Sequence, residues 1–200
     1  MANTIRNVEV ISGHVVRADQ PLAVELVSTL HVRDGVPVDA LTTPRELAAW
    51  LRVNRSRLDG IATDRIDPAA VLDPLRELRG AVDRLVRAAV AGDPPTSADV
   101  ERLNTATRRA PAHRELRWPR RDRPRAVDVT PAGPADALLA RLAGDAVDVL
   151  AGEHGELGAC GGPSCVLLFA RSRPRQAWCS PACGNRARVA RHYRRTKAGS

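Results

Sequence analysis

The chain has 200 residues, with 31 Lys and Arg against 23 Asp and Glu, and a formal net charge of +8. This length allows one sizeable core and a small additional module. No stretch reaches about 18 uninterrupted apolar residues, so we expect no membrane span. Residues 1–10 lack the apolar run and the cleavage site of a secretory signal. We therefore expect a cytoplasmic protein, in which thiols stay reduced.

The first part of the chain predicts one short strand and two helices. The strand covers residues 8–11. The first helix follows at residues 22–30, where leucines recur every four positions on one face. A second helix begins near residue 44, because Thr43 can cap it, Pro44 suits its first position and Glu46 completes a capping box.

The middle of the chain predicts further helices and a basic connection. A helical pattern spans residues 67–91, and we expect Pro74 to break or kink it, with Asp73 as a new cap. Ser97 is predicted to cap the next helix, and the last one follows Gly133. The helical faces should meet in one core, with these residues buried: Leu26, Leu30, Leu75, Leu78, Leu85, Leu142 and Val149.

An arginine cluster lies between the last two of these helices. Residues 111–131 are rich in Pro and Arg, with two strand-like pieces at 116–118 and 126–129. An exposed loop and an auxiliary phosphate contact are equally compatible with this stretch. Its arginines are Arg114, Arg117, Arg120, Arg121, Arg123 and Arg125.

All four cysteines lie near the C-terminal end, with the spacing C-x4-C-x13-C-x3-C. Two close pairs joined by a short loop suit a tetrahedral Zn²⁺, whereas two disulfides would need an oxidising compartment. We therefore expect one structural Zn²⁺ per chain. Its ligands are Cys160, Cys165, Cys179 and Cys183.

The residues around the cysteines predict a small zinc finger that resembles a treble clef. Residues 160–165 form a knuckle, and 166–169 should pair with 177–178 as a hairpin after a hinge at 152–158. Ser180 then caps a helix. Ala187, Ala190 and Tyr193 are expected to face the hairpin.

Segment 178–186, Trp-Cys-Ser-Pro-Ala-Cys-Gly-Asn-Arg, resembles the signature of bacterial CGNR zinc-finger proteins. The match extends back through Leu168-Phe169 to Cys160. Residues 22–30, 41–51 and 103–104 are similar to the ABATE domain that usually precedes this finger, although Ser28 stands where that family commonly has Asn. The resemblance implies that the four cysteines are the zinc ligands and that the chain is a stress-induced transcription regulator.

We find no catalytic set in the sequence. A site closed by four thiolates leaves no open position for water, so we expect a structural site and no enzyme. There is no Gly-rich phosphate loop, and His31 is expected at a helix end. None of the histidines has the spacing of a paired metal site: His14, His31, His113, His154 and His192.

These patterns predict a mainly α N-terminal domain with a few short strands (1–155) and a treble-clef-like finger of hairpin and helix (156–200). From Cys160 onward there are nine Lys and Arg and no Asp or Glu, a balance that suits a polyanion. We expect DNA binding in transcription regulation, with ligand sensing or dimerisation by the large domain. The alternatives are docking of an acidic protein, binding of structured RNA, and a merely solvated terminal helix. The expected DNA contacts are Arg186, Arg188, Arg191, Arg194 and Arg195.

Overall fold

The computed structural model describes residues 10–198. The described chain is mainly helical with short strands, as the sequence predicts. None of its helices is long and apolar enough to cross a membrane. The helices are α1 (Leu22–Ser28), α2 (Pro44–Val53), α3 (Pro68–Ala91), α4 (Ser97–Arg108), α5 (Pro134–Leu150) and α6 (Pro181–Ala198).

The strands pair as four separate antiparallel hairpins, each of two strands. Val8 and Glu9 of the predicted first strand lie outside the described residues. The strands are β1 (Val10–Ile11), β2 (His14–Val15), β3 (Leu30–Arg33), β4 (Val36–Asp39), β5 (His113–Arg117), β6 (Arg125–Val129), β7 (Leu157–Ala159) and β8 (Leu168–Ala170).

Helix α1 lies at the centre of the large domain. All seven of its residues are buried, and it packs against α3, α5 and β8. The carboxylate of Glu25 is buried with them, and its two oxygens accept hydrogen bonds from His14 Nε2 and Arg17 N, both at 2.8 Å. A buried carboxylate is tolerated only when it is bonded in this way. The α1 segment is therefore fixed by polar as well as apolar contacts.

The prediction that the first helix continues to residue 30 was wrong. Helix α1 ends at Ser28, and Leu30 is only half-buried in β3, as is His31, which was expected at a helix end. The cause is the hairpin turn at Asp34-Gly35, where φ is 50° and 80°. A two-residue turn with positive φ at both positions suits the twist of a β-hairpin, and Asp-Gly is a strong signal for it. Pairing with β4 then holds Leu30–Arg33 extended.

Helix α3 continues through Pro74, so the predicted break with a new cap at Asp73 was wrong, while the alternative of a kink stays a prediction. A proline inside a helix removes one backbone hydrogen bond, here to the carbonyl of Ala70. Ala70 is exposed, so water can satisfy that carbonyl. Leu75 and Leu78, on the following turn, are buried in the core, and this burial favours a continuous helix.

The helix caps are partly as predicted. Thr43 and Glu46 form the expected capping box of α2, whereas α4 is capped by Thr96 and not by Ser97. The Thr96 hydroxyl accepts a hydrogen bond from Asp99 N at 3.2 Å. The bidentate hydrogen bond from Arg84 lowers the pKa of Asp99 to about 2. Asp99 therefore remains ionised at the start of α4, where the helix dipole favours negative charge.

Replacing Leu138 by Ala should lower the free energy of unfolding by about 2–5 kcal/mol, because the side chain is fully buried and its loss leaves a cavity. The matched control is Leu116→Ala, since Leu116 is 69% exposed in β5; its change should stay within about 0.5 kcal/mol. Chemical denaturation of the zinc-loaded chain measures both. Equal effects of the two substitutions would contradict the assigned core.

Candidate metal centre and nucleic-acid interface

The finger begins with a hairpin that surrounds the first cysteine pair. Strand β7 pairs with β8 in the register Leu157↔Ala170, Gly158↔Phe169 and Ala159↔Leu168. The predicted pairing of 166–169 with 177–178 was therefore wrong, and part of the predicted hinge is a strand. Cys160 N donates to Leu167 O at 3.0 Å, which continues the ladder to the knuckle. Cys160 and Cys165 thus lie in the connection between two paired strands.

The second cysteine pair lies at the start of α6. The Ser180 hydroxyl accepts a hydrogen bond from Cys183 N at 3.3 Å, so Ser180 caps the helix as predicted. Cys179 precedes the helix, and its amide donates to Cys160 Sγ at 3.3 Å. That hydrogen bond joins the two pairs and also favours the thiolate form of Cys160.

The four sulfur atoms lie within 4.8 Å of one another. The Sγ–Sγ distance is 3.8 Å between Cys165 and Cys179 and 3.5 Å between Cys179 and Cys183. A tetrahedral zinc with Zn–S bonds of about 2.3 Å requires sulfur separations of about 3.8 Å. The donor set and its spacing therefore fit one structural Zn²⁺, with all four coordination positions filled by Cys160, Cys165, Cys179 and Cys183.

The hydrogen bonds among the thiols favour ionisation of one cysteine at the expense of its neighbour. The hydrogen bond with the Cys179 thiol lowers the pKa of Cys165 to about 5, and the same interaction raises the pKa of Cys179. Burial raises the pKa of Cys160. Zinc removes this conflict, because its charge stabilises four thiolates together.

Two glycines allow the close packing of the finger. A Cβ at Gly162 would lie 3.0 Å from Cβ of Cys183 and 3.4 Å from Sγ of Cys160. A Cβ at Gly184 would lie 3.3 Å from Cε3 of Trp178. Gly184 disfavours a helix, but the indole ring can pack directly on its backbone. The first turn of α6 is thus packed against the knuckle at Gly162 and against the indole ring at Gly184.

The finger is seated on the large domain through Arg17 and Gln20. The guanidinium of Arg17 donates to Leu168 O at 2.8 Å and to Cys179 O at 3.3 Å. It also donates to the Ser28 hydroxyl at 3.3 Å. The Gln20 side chain accepts from Ala170 N at 2.8 Å and donates to Ala170 O at 3.4 Å. Sequence reasoning missed both residues, because some 150 positions separate them from their partners and no local pattern marks them.

The apolar core also continues into the finger. Leu168 of β8 is 2% exposed and belongs to the main hydrophobic core, while Phe169 packs with Cys160 and Cys183 in a small second cluster. Alternate residues of one strand thus face two cores. The two modules therefore pack against each other through a shared interface and are not independent domains joined by a flexible linker.

Helix α6 carries the predicted arginines, and all five are exposed. Arg186 differs from the others, because its Nη2 donates to Cys183 Sγ at 3.1 Å; that hydrogen bond raises the pKa of Arg186. Arg188 bonds to the side chain of Asn185, and Arg194 Nε bonds to Ala190 O at 3.3 Å. Among the described residues, Arg191 and Arg195 have neither a hydrogen-bond nor an ion-pair partner.

The apolar face of α6 is shorter than predicted. Ala187 is buried and Ala190 half-buried, but Tyr193 is 68% exposed and does not face the hairpin. Residues 191–197 are all exposed. The helix is thus held by its first turns, and its arginine-bearing end extends from the finger into solvent.

A treble-clef-like finger with four thiolates, seated on a mainly helical domain, defines a zinc-finger protein. Comparison with family models assigns both parts. Residues 20–153 match the ABATE model, described as "Putative stress-induced transcription regulator", and residues 156–196 match the CGNR zinc finger. The chain belongs to the ABATE family, since that match covers well over half of its length. No match was found among curated proteins.

We predict that the purified chain contains one zinc per molecule and that Cys183→Ser loses it, because three thiolates cannot close the site. Elemental analysis measures the metal, and NMR spectra report the folding of the finger. Val166→Ala, a partly exposed neighbour of Cys165, is the control that should retain zinc. Much less than one zinc in the wild type, or a Cys160–Cys165 disulfide under reducing conditions, would contradict this assignment.

Replacing Arg17 by Ala should destabilise the folded chain by about 2–3 kcal/mol and accelerate zinc loss to a chelator. The substitution leaves two backbone carbonyls of the finger without their charged donor. Denaturation and chelator competition measure the two effects. Arg52→Ala, an exposed position on α2, should change neither. Wild-type stability and zinc retention in the Arg17 variant would show that the contact does not hold the finger in place.

Proposed function

We propose that this protein is a DNA-binding transcription regulator in which zinc builds the finger and α6 contacts the DNA. The observation that carries the proposal is the exposed basic end of α6. Arg188, Arg191, Arg194 and Arg195 project from a segment without any Asp or Glu. Nothing within the described finger neutralises Arg191 or Arg195. A phosphate backbone supplies the missing negative charges.

The zinc site makes this charge distribution possible. Four thiolates around Zn²⁺ carry a net charge of −2, which leaves residues 160–200 at about +7. The negative charge is held within the finger, where Arg186 bonds to Cys183 Sγ. The positive charge lies on the outer surface of α6. Arg186 therefore mainly stabilises the zinc site, and the other arginines of α6 are the primary DNA contacts.

One finger offers too small a surface for tight specific binding, so we propose that the large domain forms a homodimer or responds to an effector. A groove of about 420 Å³ between α3, α4 and α5 is the candidate effector site. Its apolar floor includes Leu78 and Leu139, and the Glu77–Arg102 ion pair lies at its edge. Ligand pockets in helical proteins often lie between helices.

We also propose that the protein is not an enzyme and acts in the cytoplasm. The four-thiolate site has no open coordination position for a substrate or water. The thiolates that bind zinc are favoured in a reducing compartment.

The proposal is tested by titrating zinc-loaded full-length protein against duplex DNA at several salt concentrations. The variant is R191A/R195A, because these two side chains have no partner within the described structure to lose. Each phosphate contact contributes about −0.9 to the slope of log K against log salt. We expect the variant to bind more weakly, with a slope flatter by about 2.

The control removes the same charge from the large domain. R45A/R55A changes two exposed arginines for which the described residues provide no ion pair, and it should bind like the wild type. If the wild type binds duplex DNA no better than a neutral protein at low salt, the proposal fails. If the two variants behave alike, binding reflects net charge and not α6.

A further inference from the structure

Strands β5 and β6 form an arm that stands away from the core. The register runs from His113↔Val129 to Arg117↔Arg125, and every residue from 111 to 126 is exposed. A two-stranded hairpin without a covered face is only marginally stable alone. Its strands are about 17 Å long. Residues 111–126 thus extend into solvent, whereas Val127 and Val129 at the base of the arm are half-buried.

The tip of the arm, residues 117–125, concentrates positive charge. It contains five arginines and one carboxylate, Asp122. The other acidic residues lie nearer the base and are already paired, Glu115 with His113 at 3.0 Å and Asp128 with Arg114 at 3.4 Å. The tip arginines make no side-chain ion pair or hydrogen bond within the described structure. They are Arg117, Arg120, Arg121, Arg123 and Arg125.

Two features at and beside the tip favour contact with an anionic partner over exposure to solvent. Arg117 and Arg125 lie directly opposite each other, and like charges at such positions destabilise a hairpin. On the other face, Leu116 and Trp118 are each 69% exposed. A phosphate backbone would remove the repulsion, and the groove it borders would cover the two apolar side chains.

The arm and the finger lie at opposite ends of α5. Residues 130–133 connect β6 to the start of α5, and residues 151–156 connect its end to β7. A helix of 17 residues rises about 25 Å. The attachment points of the arm and of the finger are therefore separated by about the length of α5.

We propose that the β5–β6 arm is a second DNA-binding surface, independent of α6, that places its tip arginines on the phosphates of a separate stretch of duplex DNA. A two-stranded ribbon fits the major groove. A second copy of this chain carries the same net charge of +8 and the same arginine-rich tip, whereas DNA is an anion whose protein interfaces are strongly positive. The net charge of the tip thus favours DNA over a second copy of this chain.

The test uses the full zinc-loaded chain and a labelled duplex of about 40 base pairs, longer than three helical turns. The variant removes three tip arginines that have no structural partner: R120A, R121A and R123A. We expect weaker binding and a salt slope flatter by about 2–3, since each contact contributes about 0.9. The charge-matched control removes three exposed arginines elsewhere on the large domain: R45A, R55A and R65A.

A second measurement follows Trp118 directly. Trp50 is buried and Trp178 is half-buried, so Trp118 accounts for most quenching of tryptophan fluorescence by acrylamide. DNA should protect it, and W118F should show no such protection. This readout does not depend on the net charge of the protein.

The outcomes separate this inference from the role proposed for α6. If R191A/R195A binds like the wild type while the arm variant binds more weakly, the α6 proposal fails and the inference about the arm is supported. If the arm variant binds with the wild-type slope, or Trp118 stays unprotected at saturating DNA, the inference is overturned. It is also overturned if the arm variant retains DNA binding but loses self-association in sedimentation, because the arm would then be an interface between copies.

Discussion

Four sulfur atoms within 4.8 Å of one another form the constraint on which the finger depends. Their negative charges are stable together only around a cation. Apart from its contacts with the large domain, the finger has little internal packing, because its own apolar cluster consists of Phe169 with Cys160 and Cys183 and a few partly buried neighbours. Small modules of this kind commonly need a metal for stability. The folded finger that holds the first turns of α6 therefore depends on zinc.

The zinc site is connected to the large domain by hydrogen bonds from Arg17 to backbone carbonyls of the finger. Arg17 joins the Ser28 hydroxyl of α1 to the carbonyl of Cys179, a zinc ligand. Glu25 on the same helix accepts a hydrogen bond from Arg17 N. A shift of α1 would thus displace the residue that precedes α6. If the groove between α3, α4 and α5 binds an effector, this path offers a physical connection between that groove and the finger, because α1 packs on α3 and α5.

The sequence predicts most of the helices and the metal ligands because their signals are local. Thr43, Pro44 and Glu46 specify the start of α2 within four positions, and paired cysteines specify a tight knuckle. The errors have two kinds of cause. Asp34-Gly35 was a local turn signal that a competing leucine period obscured. The other two errors, at Pro74 and at β7, depend on tertiary packing. The core favours a continuous α3 through Pro74, and β8 pairs with Leu157–Ala159 across the knuckle.

The residues that form the interface between the modules could not be predicted from the sequence for a different reason. Arg17 is one of 31 basic residues, and its role follows from two carbonyls that no side-chain pattern marks. Every residue has a backbone carbonyl, so the sequence does not mark which carbonyls accept hydrogen bonds from Arg17. Only the fold identifies them. By contrast, the special position of Arg186 could be inferred, because it lies three residues after Cys183 and therefore on the same helical face.

The basic end of α6 is in tension with its own helical structure. Arg188, Arg191 and Arg195 are spaced at three and four residues, and like charges at these spacings destabilise a helix by a few tenths of a kcal/mol per pair. Residues 191–197 have no packing to offset this cost, since all are exposed. An anionic partner would remove the repulsion and stabilise the helix at the same time. Binding and helical order at this end of the chain are therefore coupled, and part of the binding free energy would be used to fix the helix.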